Sequence, residues 1–391
     1  MRPVSVGTHT IQLVLLLFLR TITGLRWVTW LGIGMHLAAL VGLPLAESIA
    51  PLLPWWLLVI AWLLLICAPG RLVVSALIAK VVLAGIRPGS YTRGGSVHLR
   101  LWFAERAAEE LGAGRIAGAG MVRWYARLLG CSIGRNVELH TMPPLTGLLT
   151  VGNNAAIEPE VDLLGHWIDG DRIHIGAIKI GREARIGARS TILGGVKIGA
   201  EAEIAAGSTV FTNVKSAQRW SGSPAVQIGD ARGPWESRRP KQRPIYTLLY
   251  AATGVLISLL PMLAVAVGAL VLWQPLQSVT GIGDITPALF GYFVLAVLAG
   301  YASLALCILI AVRLLGVGLK PGHYPAQSGP ALRAWATLRI MDEARTWLFP
   351  LYGGAATTWW LRLLGARVGK DAEASTVLMI PKLTRVGAGA F

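Results

Sequence analysis

Aliphatic residues fall six apart at Ile180, Ile186, Ile192, Ile198, Ile204 and Val210, and most are followed by Gly or Ala. A helix repeats its apolar face every 3.6 residues and a half-buried strand every two, so neither explains this step. It is the period of a parallel β-helix, where each short strand points one aliphatic residue inward and small residues turn the corner. An earlier run, Ile133, Leu139, Leu145, Val151, Ile157 and Leu163, keeps the same step. Between the runs the phase breaks across Leu164-Gly165-His166-Trp167-Ile168-Asp169-Gly170-Asp171. A solenoid that interrupts itself with His, Trp and Asp is placing side chains for a task.

The second constraint is apolar length. The chain is 54% hydrophobic and only 14% charged, with mean hydropathy +0.58, outside the range of ordinary soluble domains. Four stretches, 27–46, 52–70, 246–273 and 287–312, are long enough to cross a hydrocarbon core of about 30 Å as helices. Residues 11–19 are also apolar but are separated from Trp27 by Arg20 and Arg26. That leaves either one tilted span or an interfacial helix followed by a span. No small-residue cleavage site follows the first apolar run, which is read as retained. His36, in the first span, is read as interfacial.

Basic residues set an expected orientation. The connectors 47–51 and 274–286 carry Glu47 and Asp284 but no Lys or Arg. The opposite ends carry Arg71, Lys80 and Arg87, then Arg238, Arg239, Lys241 and Arg243, then Arg313 and Lys320. Basic flanks stay cytoplasmic, so the solenoid is expected on the cytoplasmic side of an inner membrane. The net charge of +16 is then accounted for by contact with anionic lipid, and no nucleic-acid partner is expected. Three cysteines, Cys67, Cys131 and Cys307, make no disulfide framework.

The chain also repeats itself. Ile86-Arg87-Pro88-Gly89-Ser90-Tyr91 recurs as Leu319-Lys320-Pro321-Gly322-His323-Tyr324, and Arg100-Leu101-Trp102 as Arg333-Ala334-Trp335. Arg127-Leu128-Leu129-Gly130 recurs as Arg362-Leu363-Leu364-Gly365. The expected organisation is a transmembrane pair (1–86), an amphipathic helical connector (87–130), a left-handed parallel β-helix (131–229) and a basic linker (230–245). A second transmembrane pair (246–317) and a second connector with the start of a second β-helix (318–391) follow. The expectation is a fragment of a longer protein.

Gly207-Ser208-Thr209-Val210 followed by Trp220-Ser221-Gly222-Ser223-Pro224-Ala225 resembles the close of the left-handed β-helix in hexapeptide acyltransferases. The larger plan, with Pro88-Gly89 after the second span, the break at 165–171 and the segment 220–225, looks like the membrane-embedded part of poly-lysine-synthase-like nonribosomal peptide synthetases. That resemblance implies aminoacyl transfer from a carrier thioester to an amine. It also implies adenylation and carrier domains as partners, and further tandem units or a homo-oligomer. No adenylation domain and no carrier Ser motif are present in this sequence. No cofactor is expected to reside in the chain; a phosphopantetheine-linked aminoacyl donor or acyl-CoA is implied.

Acyl transfer to an amine needs a base near neutral pH. His166 is the candidate, since imidazole titrates in that range and the break frees it from the coil. Asp169 or Asp162 is the candidate to orient it. Trp167, Trp220 and His174 are candidate substrate contacts; His174 stands in phase with Ile180, at an inward or corner position. The three histidines His140, His166 and His174 differ in phase, so no metal site is expected. Two other functions remain open: acyl-CoA-dependent modification of a membrane-linked amine or sugar, and a non-catalytic scaffold for polymer synthesis.

Overall fold

The computed structural model describes residues 4–116, 121–233, 244–279, 289–325, 327–375 and 377–391. The chain splits into two compact units, Met1–Leu37 with Ile49–Ser237 and Ala38–Ser48 with Arg238–Phe391.

In the first unit the six-residue series sorts into three parallel ladders. One face is built from β2 (Ser132–Ile133), β4 (Leu149–Val151), β9 (Ile178–Ile180) and β12 (Lys197–Ile198). The second holds β3 (Glu138–Leu139), β5 (Ala156–Ile157), β10 (Arg185–Ile186), β13 (Glu203–Ile204) and β15 (Gln218–Gly222), with β16 (Ala225–Asp230) turning back antiparallel at its edge. The third holds β6 (Asp162–Leu164), β11 (Thr191–Leu193) and β14 (Thr209–Val210).

Register stacks like on like: Ile133, Val151, Ile180 and Ile198; Leu139, Ile157, Ile186, Ile204 and Trp220; Leu163, Ile192 and Val210. Ile157, Ile186, Ile192 and Val210 are fully buried, and each such side chain contributes about 1.5–3 kcal/mol. This is the parallel β-helix that the spacing predicts. On the first face, successive coils leave no room for a side chain after the inward residue, and Gly134, Gly152, Gly181 and Gly199 stand there. A Cβ on Gly181 would meet the Ala200 nitrogen at 2.5 Å, which is why glycine recurs there.

The phase break is not a loose loop. β7 (His166–Asp169) and β8 (Arg172–Ile175) form an antiparallel hairpin inserted between β6 and β9. β1 (Gly89–Thr92) joins β8 from the far side, pairing Gly89 with Ile175 and Thr92 with Arg172.

Helix α1 (Val6–Leu40) is continuous for 35 residues through Arg20 and Arg26, which removes the division left open in sequence. The stretch 52–70 is not one straight helix. After the short α2 (Pro44–Ile49) and a 3₁₀ turn come α3 (Trp55–Ala61), a π turn (Trp62–Ile66) and α4 (Ala68–Val82). Ala46–Leu52 and Trp55–Ile66 meet at a 70° bend. Pro54 stands at that break and starts α3; further on, Pro69 has no N–H for the Leu65 carbonyl four residues back. Arg26 Nε donates to that carbonyl at 2.8 Å instead.

α4 packs against α5 (Ser96–Glu110) and α6 (Met121–Leu129), joining one core that runs on into the solenoid. Tyr125, fully buried, hydrogen-bonds Ser75 at 2.8 Å.

In the second unit α7 (Pro244–Gln277) and α8 (Tyr292–Gly316) pack closely, since a Cβ on Gly300 would lie 2.7 Å from the Ala264 carbonyl oxygen. They are followed by α9 (Gly329–Trp347), α10 (Ala356–Leu364) and a parallel pair, β17 (Arg367–Val368) with β18 (Arg385–Val386). Among the described residues three helices, α1, 248–277 of α7 and α8, are long and apolar enough to cross a membrane, or four if the bent pair is one span.

The duplication holds down to single hydrogen bonds. Tyr91 donates to the Arg87 carbonyl at 2.7 Å and Tyr324 to the Lys320 carbonyl at 3.0 Å. Arg127 donates to Ile133 O at 3.3 Å and Arg362 to Val368 O at 3.0 Å. Most of the expected basic linker, with Arg238, Arg239, Lys241 and Arg243, lies outside the described residues, as does Asp284.

Candidate functional site

The hairpin and α5 together build the site. His98 and Glu105 stand two helical turns apart on α5, on one face. His166 opens β7, and its Nδ1 lies 3.5 Å from Glu105 Oε1, with the two side chains 28% and 32% exposed. His98 is fixed from below: its Nδ1 accepts the Gly94 N–H at 2.8 Å, and the Gly94 carbonyl accepts the Thr8 hydroxyl at 3.1 Å.

Burial dominates the charge states here. It pushes the Glu105 carboxyl up to about 7; Arg106 opposes that rise and Glu109 adds to it. Burial also lowers the His166 pKa, and the nearby His98 lowers it further. His98 itself is lowered by burial and then by Arg93. A salt bridge would have moved His166 up and Glu105 down, so the 3.5 Å geometry and the titration disagree. Desolvation outweighs attraction across a contact longer than a good charge-assisted hydrogen bond. At neutral pH the pair is therefore a neutral imidazole beside a carboxyl near its midpoint.

The other expected residues are placed as follows. Trp167 faces His174 across the hairpin, rings stacked at 5.1 Å and 19°. His174 is thus on β8, outside the coil, and its phase with Ile180 is coincidence: an antiparallel excursion separates them. Asp169 pairs with Arg172 at the hairpin tip. Asp162, on β6 beside Thr191, has its carboxyl raised by partial burial. Among the described residues neither Asp forms an ion pair or hydrogen bond with His166; Glu105 holds that place. Trp220 extends the ladder above Ile204, packs on the solenoid core and donates its indole N–H to Gln218 at 3.1 Å. It is two coils beyond the hairpin. No group of three or more His, Cys, Asp or Glu among the described residues is arranged to hold a metal ion. A cavity of about 190 Å³ lies between α1 and α5, lined by Leu16, Leu19, Arg20, Arg106, Glu109 and Glu110, and contains none of the site histidines.

The expectation of an amphipathic connector over 87–130 did not single out Glu105 and His98, which lie far from His166 in sequence. The duplication held the signal. Aligning Arg100 with Arg333 and Trp102 with Trp335 places Glu109 against Asp342 and Glu110 against Glu343, whereas His98 and Glu105 meet Ala331 and Leu338.

Residues 177–212 match the bacterial transferase hexapeptide family (six repeats). The match places a hexapeptide-repeat transferase segment within the solenoid. Delta-poly-L-ornithine synthetase of Acinetobacter baumannii (strain AB307-0294) is 22% identical over 337 residues, covering 82% of this chain and 25% of that protein. The chain thus spans about a quarter of that relative's length. Among solved structures, a hexapeptide-repeat acetyltransferase of Vibrio cholerae O1 biovar eltor in complex with acetyl coenzyme A is 24% identical. It covers 27% of this chain and 62% of its own, at TM-score 0.23. Serine acetyltransferase of Brucella abortus strain S19 is 24% identical, covering 40% and 68%, also at TM-score 0.23.

Proposed function

We propose that this chain transfers an aminoacyl group from a pantetheine thioester to an amine, as the membrane condensation part of a poly-amino-acid synthetase. The observation that carries the reading is His166: a half-buried imidazole, kept neutral, on a hairpin that a hexapeptide β-helix holds out from its side. The name of the Acinetobacter relative supplies the polymer context. The amine nitrogen attacks the thioester carbonyl, the C–N bond forms and the C–S bond breaks. His166 takes the proton that the nitrogen must lose, and the departing thiolate is then protonated. A lysine-like amine has a reference pKa near 10.4, so proton removal is a real part of the barrier. The Trp167–His174 stack, on the hairpin face opposite His166, offers the distal part of the pantetheine arm an aromatic surface, and the Asp162 carboxyl draws a cationic acceptor.

The donor is carrier-bound, with adenylation and carrier domains as partners; acyl-CoA offers the same arm. The β-helix is left-handed, and neighbouring units or copies complete the assembly. Arg71, Lys80, Arg87, Arg313 and Lys320 hold the solenoid on the cytoplasmic side of the inner membrane. The test is His166→Ala in the full-length protein. Carrier loading should stay intact while amide formation falls about 10²- to 10⁴-fold. Polymer synthesis at the wild-type rate would exclude His166 as the base.

A further inference from the structure

The two repeats share a scaffold and differ where α5 faces the hairpin. Arg100 reaches back to the Val82 carbonyl at 2.5 Å, and Arg333 reaches the Val317 carbonyl at 2.6 Å, so each connector helix is tied to the end of the helix that precedes it in the same manner. Trp102 and Trp335, Arg106 and Arg339 keep their places on these helices. Ala331 and Leu338 show that this helix forms without a histidine or a carboxylate at the two site positions. His98 and Glu105 are thus not required by the packing. They carry a cost, because both are held partly out of water.

The geometry gives them a use. In its ionised form the Glu105 carboxylate beside Nδ1 favours the tautomer with the proton there, which leaves Nε2 of His166 as the ring nitrogen that accepts a proton. His98, anchored through its own Nδ1 on the Gly94 N–H, carries its proton on Nε2 when neutral. Its proximity disfavours a second positive charge on His166. The charged groups acting on the cluster from the surrounding chain are Arg93, Arg106 and Glu109. β1 fixes the spacing, since it leads into α5 and also pairs with β8 of the hairpin.

We propose that His98 and Glu105 are positioning residues for His166, that the three form a proton-handling cluster in the first repeat, and that the connector helix of the second repeat, with Ala331 and Leu338 at the two matching positions, supplies no such partners. This rests on the acyl-transfer reading above.

The test uses the full-length protein and steady-state amide formation across pH. Glu105→Gln is expected to lower kcat about 10- to 100-fold with little change in KM, as for other groups that orient a functional imidazole. Glu105→Asp, which keeps the carboxylate, should recover part of the loss. His98→Ala should move the acidic limb of the rate profile to higher pH, because it removes a group that lowers the His166 pKa. Ala331→Ser in the second repeat should leave rate and profile as they are. Wild-type rates and an unmoved profile in both Glu105→Gln and His98→Ala would overturn this inference. The acyl-transfer reading would still stand if His166→Ala were inactive in the same assay. Equal losses in Glu105→Gln and Glu105→Asp would also overturn it, by showing that the site tolerates no change of shape. A fully active His166→Ala would remove both.

Discussion

Glu105 makes the site's electrostatics measurable without a substrate. Its carboxyl is raised from 4.5 to about 7 by burial. Ionising it in place therefore costs about 3 kcal/mol more than in the unfolded chain. With 32% of the side chain exposed, solvent screening reduces that to about 1–2 kcal/mol. The direction follows from linkage. A group whose pKa rises on folding contributes stability that is present below its unfolded value, here 4.5. That contribution is lost as pH rises through about 7. Glu105→Gln removes this titration, so the variant should gain on the wild type between pH 5 and pH 8. At about 2–4 °C per kcal/mol for a unit of this size, the difference in Tm between the two proteins should change by about 2–8 °C across that interval. His166, whose pKa is lowered, contributes above 6.5 and loses that contribution as pH falls. It is present in both proteins, and its own effect largely cancels. Thermal unfolding followed by Trp fluorescence in detergent micelles at pH 5 and pH 8 reads the change. A Tm difference that stays constant with pH, or moves in favour of the wild type, would refute the argument.

Ile186, fully buried between Ile157 and Ile204 in its ladder, should cost about 2–5 kcal/mol when cut to Ala. Ile186→Asp should abolish folded protein; an unchanged melting curve for either variant would contradict the β-helix register. The Cys131 thiol, 5% exposed and pushed up to about 12 by burial, should resist iodoacetamide at pH 8 in the folded protein and react once it is unfolded, as followed by peptide mass. For orientation, Ser278→Cys should be labelled from outside intact cells by an impermeant maleimide, and Glu201→Cys on the solenoid should not. Labelling of Glu201→Cys alone would invert the topology.

Local repetition was readable and long-range pairing was not. The six-residue step from Ile180 to Val210 names the inward residue of each strand because every coil obeys the same local rule. Leu145 keeps the step yet sits outside any strand, where Pro143 and Pro144 interrupt the chain. The stretch 52–70 is apolar throughout, but hydropathy does not register that Pro54 stands at a 70° bend or that Pro69 removes a donor. At the site, His166 stood out because it breaks a pattern. Its partner Glu105 belongs to a helix whose apolar spacing looks complete without it. The pairing of β1 with β8 joins segments about 80 residues apart, and neither carries a local sign of the other. Asp162 and Asp169 lie near His166 in sequence, but strand alternation sends Asp169 to the face opposite His166.

The two anchorages of α5 have a mechanical consequence. Arg100 binds the carbonyls of Val82 and Ala84 where α4 ends, and β1, which directly precedes α5, is stitched to β8. The end of α4, the helix bearing Glu105 and the strand pair bearing His166 are thus links in one short, stiff linkage. Glu105 is metered from the last turn of α4, and His166 is metered from the same origin through β1. Displacing α4 along its axis carries both groups together, so their separation is set by this linkage and is insulated from the length of the apolar helices that precede it.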